Sequence, residues 1–164
     1  MVTGATDGIG YEFACQLAAK GYHLLLLSRT ESKLIATIDR IRSTLPEKLR
    51  TSIQIKTLAV DFTSTDIYPR ISQFLQPYQS QIFALVNNVG MAPSVFGYFH
   101  EEKPELHEQL INVNLLSMLR MTEIVLPWMI EKKRGLVINV SSASANFPLP
   151  MLAAYGAAKV SLEW

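Results

Sequence analysis

The chain has one cysteine, Cys15, so it holds no internal disulfide. That thiol falls in an apolar stretch and reads as buried, in a reducing compartment. Charge of one sign is also missing: Lys and Arg number 15 against 14 Asp and Glu, a net charge of +1. With no long run of like charge, the chain carries no electrostatic footprint for nucleic acid or for a membrane surface. Lys132-Lys133-Arg134 reads as the solvated end of a helix, where cations suit the dipole. Histidine is scarce, and His23, His100 and His107 lack metal-ligand spacing, so no metal is expected. No apolar run approaches the roughly 18 residues that span a bilayer, and no signal peptide precedes the first glycines.

What is present is an ordinary globular composition of 164 residues, 49% hydrophobic and 18% charged, enough for one sizeable core. Near the end, Ser142 precedes Tyr155 by 155 − 142 = 13 positions, and Lys159 follows the tyrosine by four. Alanines at 153, 154, 157 and 158 favour a helix, which sets phenol and ammonium one turn apart on one face. A free phenol has a pKa of about 10, and a fixed cation beside it favours phenolate. The trio reads as a proton-transfer apparatus. Ser142 follows an apolar strand at 137–140, at the strand end where ligands of open α/β sheets collect. Ser141 is the runner-up for its place, and Ser144 reads as loop chemistry.

At the other end, Gly4, Gly8 and Gly10 stand where a strand turns into a helix over 11–19. Glycine lets the backbone bend and approach a ligand, and the helix start offers free amides to an anion. Gly4, Thr6, Asp7, Gly8, Ile9 and Gly10 are therefore the expected cofactor turn. The second strand, 23–28, ends in Ser28 and Arg29, 29 − 10 = 19 positions after the third glycine. An NAD-binding chain would place an acid about there. Arg29 offers instead a charged fork for a 2′-phosphate, with Ser28 adding a hydrogen bond, so NADP(H) is expected. The alternative is that Arg29 caps the strand and Glu31 reads the ribose.

Between these ends, strands and helices alternate. Leu34, Ile38, Ile41 and Leu45 form one apolar helix stripe, 46–51 reads as a polar loop, and 53–60 as a third strand ending at Asp61. A helix over 67–78 and a strand over 81–86 follow, the latter running into Asn87-Asn88-Val89-Gly90. Residues 91–103 read as an irregular loop at the site mouth, where Tyr98 and Phe99 either touch an apolar substrate or pack. Residues 105–132 read as one long helix with Leu110, Asn114, Met118, Met121, Val125 and Met129 along one face, Pro127 at a kink or last turn, and Gly135 as terminator. The pattern predicts an α/β fold: a Rossmann-like, doubly wound parallel sheet in one domain over 1–164, ordered 3-2-1-4-5.

These motifs together resemble the short-chain dehydrogenase/reductase family over the whole chain. Ala5-Thr6-Asp7-Gly8-Ile9-Gly10, Asn88-Val89-Gly90-Met91 and Leu149-Pro150 are most similar to its microsomal branch of very-long-chain 3-oxoacyl-CoA reductases and 17β-hydroxysteroid dehydrogenases. The resemblance implies hydride transfer between NADP(H) and a ketone or secondary alcohol of a lipid or steroid. It implies Tyr155 as general acid, Ser142 on the carbonyl oxygen and Lys159 on the ribose. It implies Asn114 at a water that links Lys159 to solvent, Asn88 along the cofactor and Asp61 at the adenine. For Asp61 a turn carboxylate is the alternative, and for Asn114 a backbone-bonded core amide. Val89, Gly156 and Ala158 depart from the commoner residues of the family and leave these groups in place.

The resemblance further implies a possible homodimer through the helices of Asn114 and Tyr155, weakened or absent if the second of these is cut short, and a place at the endoplasmic reticulum, with the cytoplasm as alternative. Members of the branch carry an upstream hydrophobic anchor. Only Met1 and Val2 stand before Thr3, and Trp164 comes five residues after Lys159, so the chain reads as a Rossmann domain truncated at both ends. The rival expectation is a truncated nucleotide-binding or interaction protein without catalysis.

Overall fold

The computed structural model describes residues 1–147 and 149–162. Pro148, Glu163 and Trp164 lie outside the described residues. Five strands pair in parallel in the order β3-β2-β1-β4-β5: β1 (Val2–Thr3), β2 (Leu24–Ser28), β3 (Ile55–Ala59), β4 (Ala84–Asn87) and β5 (Leu136–Asn139). Val2 sits opposite Leu26 on one side and Val86 on the other. Order reverses beside β1, at the crevice where a doubly wound sheet takes ligands.

Helices cover both faces, as the apolar runs of β2 and β4 require, since neither face of those strands can meet water. On one face, Ala14 and Ala18 of α1 (Gly8–Ala19) and Leu34 and Ile41 of α2 (Glu31–Thr44) pack with Leu24, Leu26 and Val86. On the other, Ile71 and Leu75 of α4 (Tyr68–Leu75) and Met121, Val125 and Met129 of α6 (Ser117–Glu131) pack with Leu25, Leu27 and Leu85. Cys15 is half-buried at the margin of the first layer rather than fully inside it.

Four expectations need correction. The loop expected at 46–51 contains a short helix, α3 (Glu47–Ser52): Pro46 is its N-cap, Glu47 suits its first turn and Arg50 its last. The helix expected over 67–78 ends at Leu75 and tightens into a 3₁₀ turn, Gln76–Tyr78, because Pro77 has no amide to continue the ladder. Gly135 does not terminate the long helix. Lys133 takes the left-handed conformation there, with φ 49°, while a β-carbon on Gly135 would lie 2.5 Å from Met129.

The long helix itself is not uniform. It runs from Pro104 to Glu131, but α5 (Pro104–Ile111) passes through a π turn, Asn112–Leu116, before α6 begins. The wider turn shifts the helical phase, so Ser117 is buried and Met118, expected in the stripe, is half-buried. Within the turn, Asn114 Nδ2 donates to Leu110 O (2.9 Å) and Ser117 Oγ to Val113 O (2.7 Å). By length and composition this stretch is apolar enough to cross a bilayer, with mean hydropathy 1.3. Its Leu110, Val113, Met121, Val125 and Met129 are instead buried in the fold.

Candidate active site

At the carboxyl ends of the strands lies a cleft of about 460 Å³, lined by Gly4, Thr6, Asp7, Gly8, Ser28, Arg29, Asp61 and Asn88 together with Phe62, Thr63, Val89, Gly90, Met91 and Val113. The structure thus gathers eight of the residues expected at a cofactor from four separate loops. Glu31 is not among the lining residues, whereas Arg29 is exposed at the edge. Ile9 and Gly10 also fall outside the lining: Ile9 points to solvent and Gly10 is buried. A second, more apolar cavity of about 390 Å³ opens at the opposite edge around Met1, Leu24, Phe83 and Leu136 and holds none of the expected site residues.

The glycines do different work. Gly8 has φ 52° and open space where its β-carbon would be, so bare backbone faces the cleft at the start of α1. At Gly10 a β-carbon would collide with Asn88 Nδ2 and Gly4 O, so this glycine permits helix and strand end to meet. Asp7 caps α1, its carboxylate accepting from Gly8 N at 2.8 Å.

Asn88 ties two strand ends together. Its Nδ2 donates to Thr3 O (3.0 Å) and Gly4 O (3.1 Å), and its backbone amide donates to Thr3 Oγ1 (3.0 Å). Thr3 Oγ1 also accepts from Val89 N and donates to Val86 O. Thr3 is a hub that the sequence reading passed over. Its signal was a fully buried hydroxyl position at a strand end, directly before a glycine that must stay close to Asn88.

At the lip, Thr6 Oγ1 and Ser28 Oγ are 3.0 Å apart. Opposite them, Asp61 Oδ1 accepts from Thr63 N (3.0 Å) and Thr63 Oγ1 (2.9 Å), closing a tight turn.

Beyond Gly90 stand the residues expected to do chemistry. Asn114 is buried, its Oδ1 accepting from Met91 N (3.1 Å) and its Nδ2 donating to Met91 O (2.8 Å). Both polar atoms of its side-chain amide are bonded to backbone. A β-carbon on Gly90 would lie 3.2 Å from Asn114 Oδ1 and 3.4 Å from Lys159 Nζ, so the glycine backbone sits close to both groups. Lys159 lies in α7 (Ala153–Val160) and is buried, which pushes its pKa below the usual lysine value; its Nζ donates to Val140 O (3.2 Å). The Tyr155 ring centroid is 6.0 Å from that nitrogen, one turn back on the same helix.

Ser142 follows β5 and caps a 3₁₀ turn, Ala143–Ala145, that packs on α7. Ser144 donates to Ser142 Oγ from both its amide (3.3 Å) and its hydroxyl (3.0 Å). Ser141 Oγ donates to Lys159 O (3.3 Å). A β-carbon on Gly156 would lie 3.4 Å from Ser144 O, an ordinary contact.

The family model described as short chain dehydrogenase matches residues 1–163. The chain belongs to the short-chain dehydrogenase family. As a short-chain dehydrogenase it is 42% identical over its full length to the very-long-chain 3-oxoacyl-CoA reductase of Bos taurus and 40% identical to that of Homo sapiens. It spans about half, 51%, of the length of both relatives. Among solved structures, it resembles a metagenomic short-chain oxidoreductase in complex with NADP, with TM-score 0.87 and 31% identity, covering 99% of this chain and 70% of that one. A short-chain dehydrogenase from Sphingobium yanoikuyae in complex with NADPH gives TM-score 0.86 and 28% identity, covering 98% of this chain and 60% of that one.

Proposed function

We propose that this chain is the cofactor-binding and catalytic part of an NADP(H)-dependent reductase whose substrate is a 3-oxoacyl thioester of coenzyme A. The observation that carries the reading is the cleft itself: Arg29 and bare Gly8 backbone line it, and Gly90 on its wall lies beside Asn114 and Lys159, which stand outside the lining. A phosphorylated dinucleotide fits these residues. Arg29 suits a 2′-phosphate, the first turn of α1 an anion, and Lys159 a ribose hydroxyl. When bound, the nicotinamide supplies the hydride.

The protein's own residues handle the proton. Tyr155 gives its phenolic proton to the carbonyl oxygen, and the Lys159 ammonium favours the phenolate left behind. Ser142 donates to the same oxygen; both bonds from Ser144 arrive at Ser142 as acceptor, so its own proton stays available. Lys159 spends one donor on Val140 O and keeps two for the ribose and for a relay past Asn114 to solvent. Asp61 faces the adenine and Asn88 the middle of the cofactor.

The named relatives support the acyl-CoA substrate, and resemblance to the microsomal branch supports action at the endoplasmic reticulum. Exposed Ile111, Leu119, Leu126, Ile130 and Val160 on the long helix and α7 support a homodimer.

The test is a fluorescence titration of the 164-residue chain with NADPH and NADH, followed by turnover of a 3-oxoacyl-CoA and of a 17-ketosteroid. NADPH preferred by about tenfold or more, with acyl-CoA reduced, is the expected result. Reduction of the steroid alone overturns the substrate. Cofactor binding without any turnover makes the chain a nucleotide-binding protein, and no binding sinks the reading altogether.

A further inference from the structure

The π turn carries three consecutive residues that all meet the cleft or its walls. Val113 is buried and forms part of the floor. Asn114 reaches the wall after β4 through both polar atoms of Met91. Asn112 reaches the opposite wall: its Nδ2 donates to Thr63 O at 3.0 Å. That carbonyl belongs to the turn whose amide and hydroxyl hold Asp61 Oδ1, and Asp61, Phe62 and Thr63 all line the cleft.

We propose that Asn112 is a positioning residue for the adenine half of the cofactor, setting the Asp61–Thr63 wall at a fixed distance from the floor. The inference rests on the cofactor reading above. Residues two apart on a helix point to nearly opposite sides, so the two asparagines brace the two walls from one backbone segment. Asn112 serves the end of the cleft near Arg29, and Asn114 the end near Lys159.

The brace has a signature that general loosening does not share. Adenosine 2′,5′-bisphosphate carries only the adenine half and its phosphates. In Asn112→Leu and in Asn112→Ala, both uncharged and both without the donor, its dissociation constant rises by about fivefold, the worth of one neutral hydrogen bond. NADPH weakens by the same factor, because the whole loss lies in the shared half. In Asn114→Ala, NADPH loses more than the bisphosphate does. In the unsubstituted chain, bisphosphate shifts the Asn112 side-chain amide resonances, a readout that needs no variant to fold.

Unchanged bisphosphate affinity in both Asn112 variants, a larger loss for NADPH than for bisphosphate, or unmoved Asn112 resonances on saturation overturns the inference while the cofactor reading stands. An unsubstituted chain that binds neither ligand overturns both.

Discussion

The side-chain nitrogen of Asn88 occupies the space that a β-carbon on Gly10 would need. The contact joins the start of α1 to the strand end that carries Asn88, and backbone Gly4 O closes the other side, so no flexible group can yield. Gly10→Ala is expected to cost about 1–3 kcal/mol as overpacking, each kcal/mol lowering Tm by about 2–4 °C. Gly8→Ala meets no atom but forces a left-handed alanine, at about 1–2 kcal/mol, and places a methyl in the cleft. Thermal melts with NADPH titrations separate them. Gly10→Ala loses stability first, and Gly8→Ala loses affinity out of proportion to stability.

Asn114→Leu keeps the branch at Cγ and strips three hydrogen bonds, leaving Met91 N, Met91 O and Leu110 O without it. At about 1 kcal/mol each the loss is about 3 kcal/mol, read by urea unfolding. Asn114→Asp keeps the acceptor for Met91 N but sets a buried carboxylate oxygen against Met91 O and Leu110 O, so it costs at least as much.

Tyr155→Phe removes the proton and little else. Its expected effect is a fall in kcat of about 10²–10⁴ with NADPH affinity unchanged. Ser142→Ala leaves the proton donor and loses an aligned hydrogen bond to the oxygen, about 10²-fold. Full activity in Tyr155→Phe would remove that residue from the mechanism.

Burial lowers the Lys159 pKa below its ordinary 10.5, and the sign of that shift separates stability from binding. Between the lowered value and the ordinary one, the unfolded chain holds the proton and the native chain has released it, so stability rises with pH across that alkaline window. NADPH affinity falls across the same window, because the cation facing the ribose is lost. Melting temperature and dissociation constant measured against pH should therefore both rise across that window, and Lys159→Met should flatten both.

Sheet order and strand positions were legible because short apolar runs bounded by glycine or polar residues have few alternatives. Helix α3 was not, because Pro46 signals a loop as readily as the cap of a short helix. The π turn left no trace either. Apolar residues three or four apart fit a regular helix and one offset by a residue alike, and only the burial of Ser117 in place of Met118 reveals the offset. Of the candidate site, it was legible from spacing and resemblance that Gly4, Gly8, Arg29, Asp61 and Asn88 share one cleft. What spacing does not encode is which glycine faces a ligand and which faces another side chain. Gly8 and Gly10 are two positions apart and do opposite things.

The extra residue in the π turn divides a rod of 28 residues into halves that answer to different neighbours. The Pro104 end leans on α7, which bears Tyr155 and Lys159, whereas the Glu131 end lies along β4 and β5. A regular helix would turn both halves as one shaft. Here the joint sits on the floor of the cleft, so the half that contacts the lysine helix and the half that lies on the sheet meet beneath the candidate site, each with its own phase.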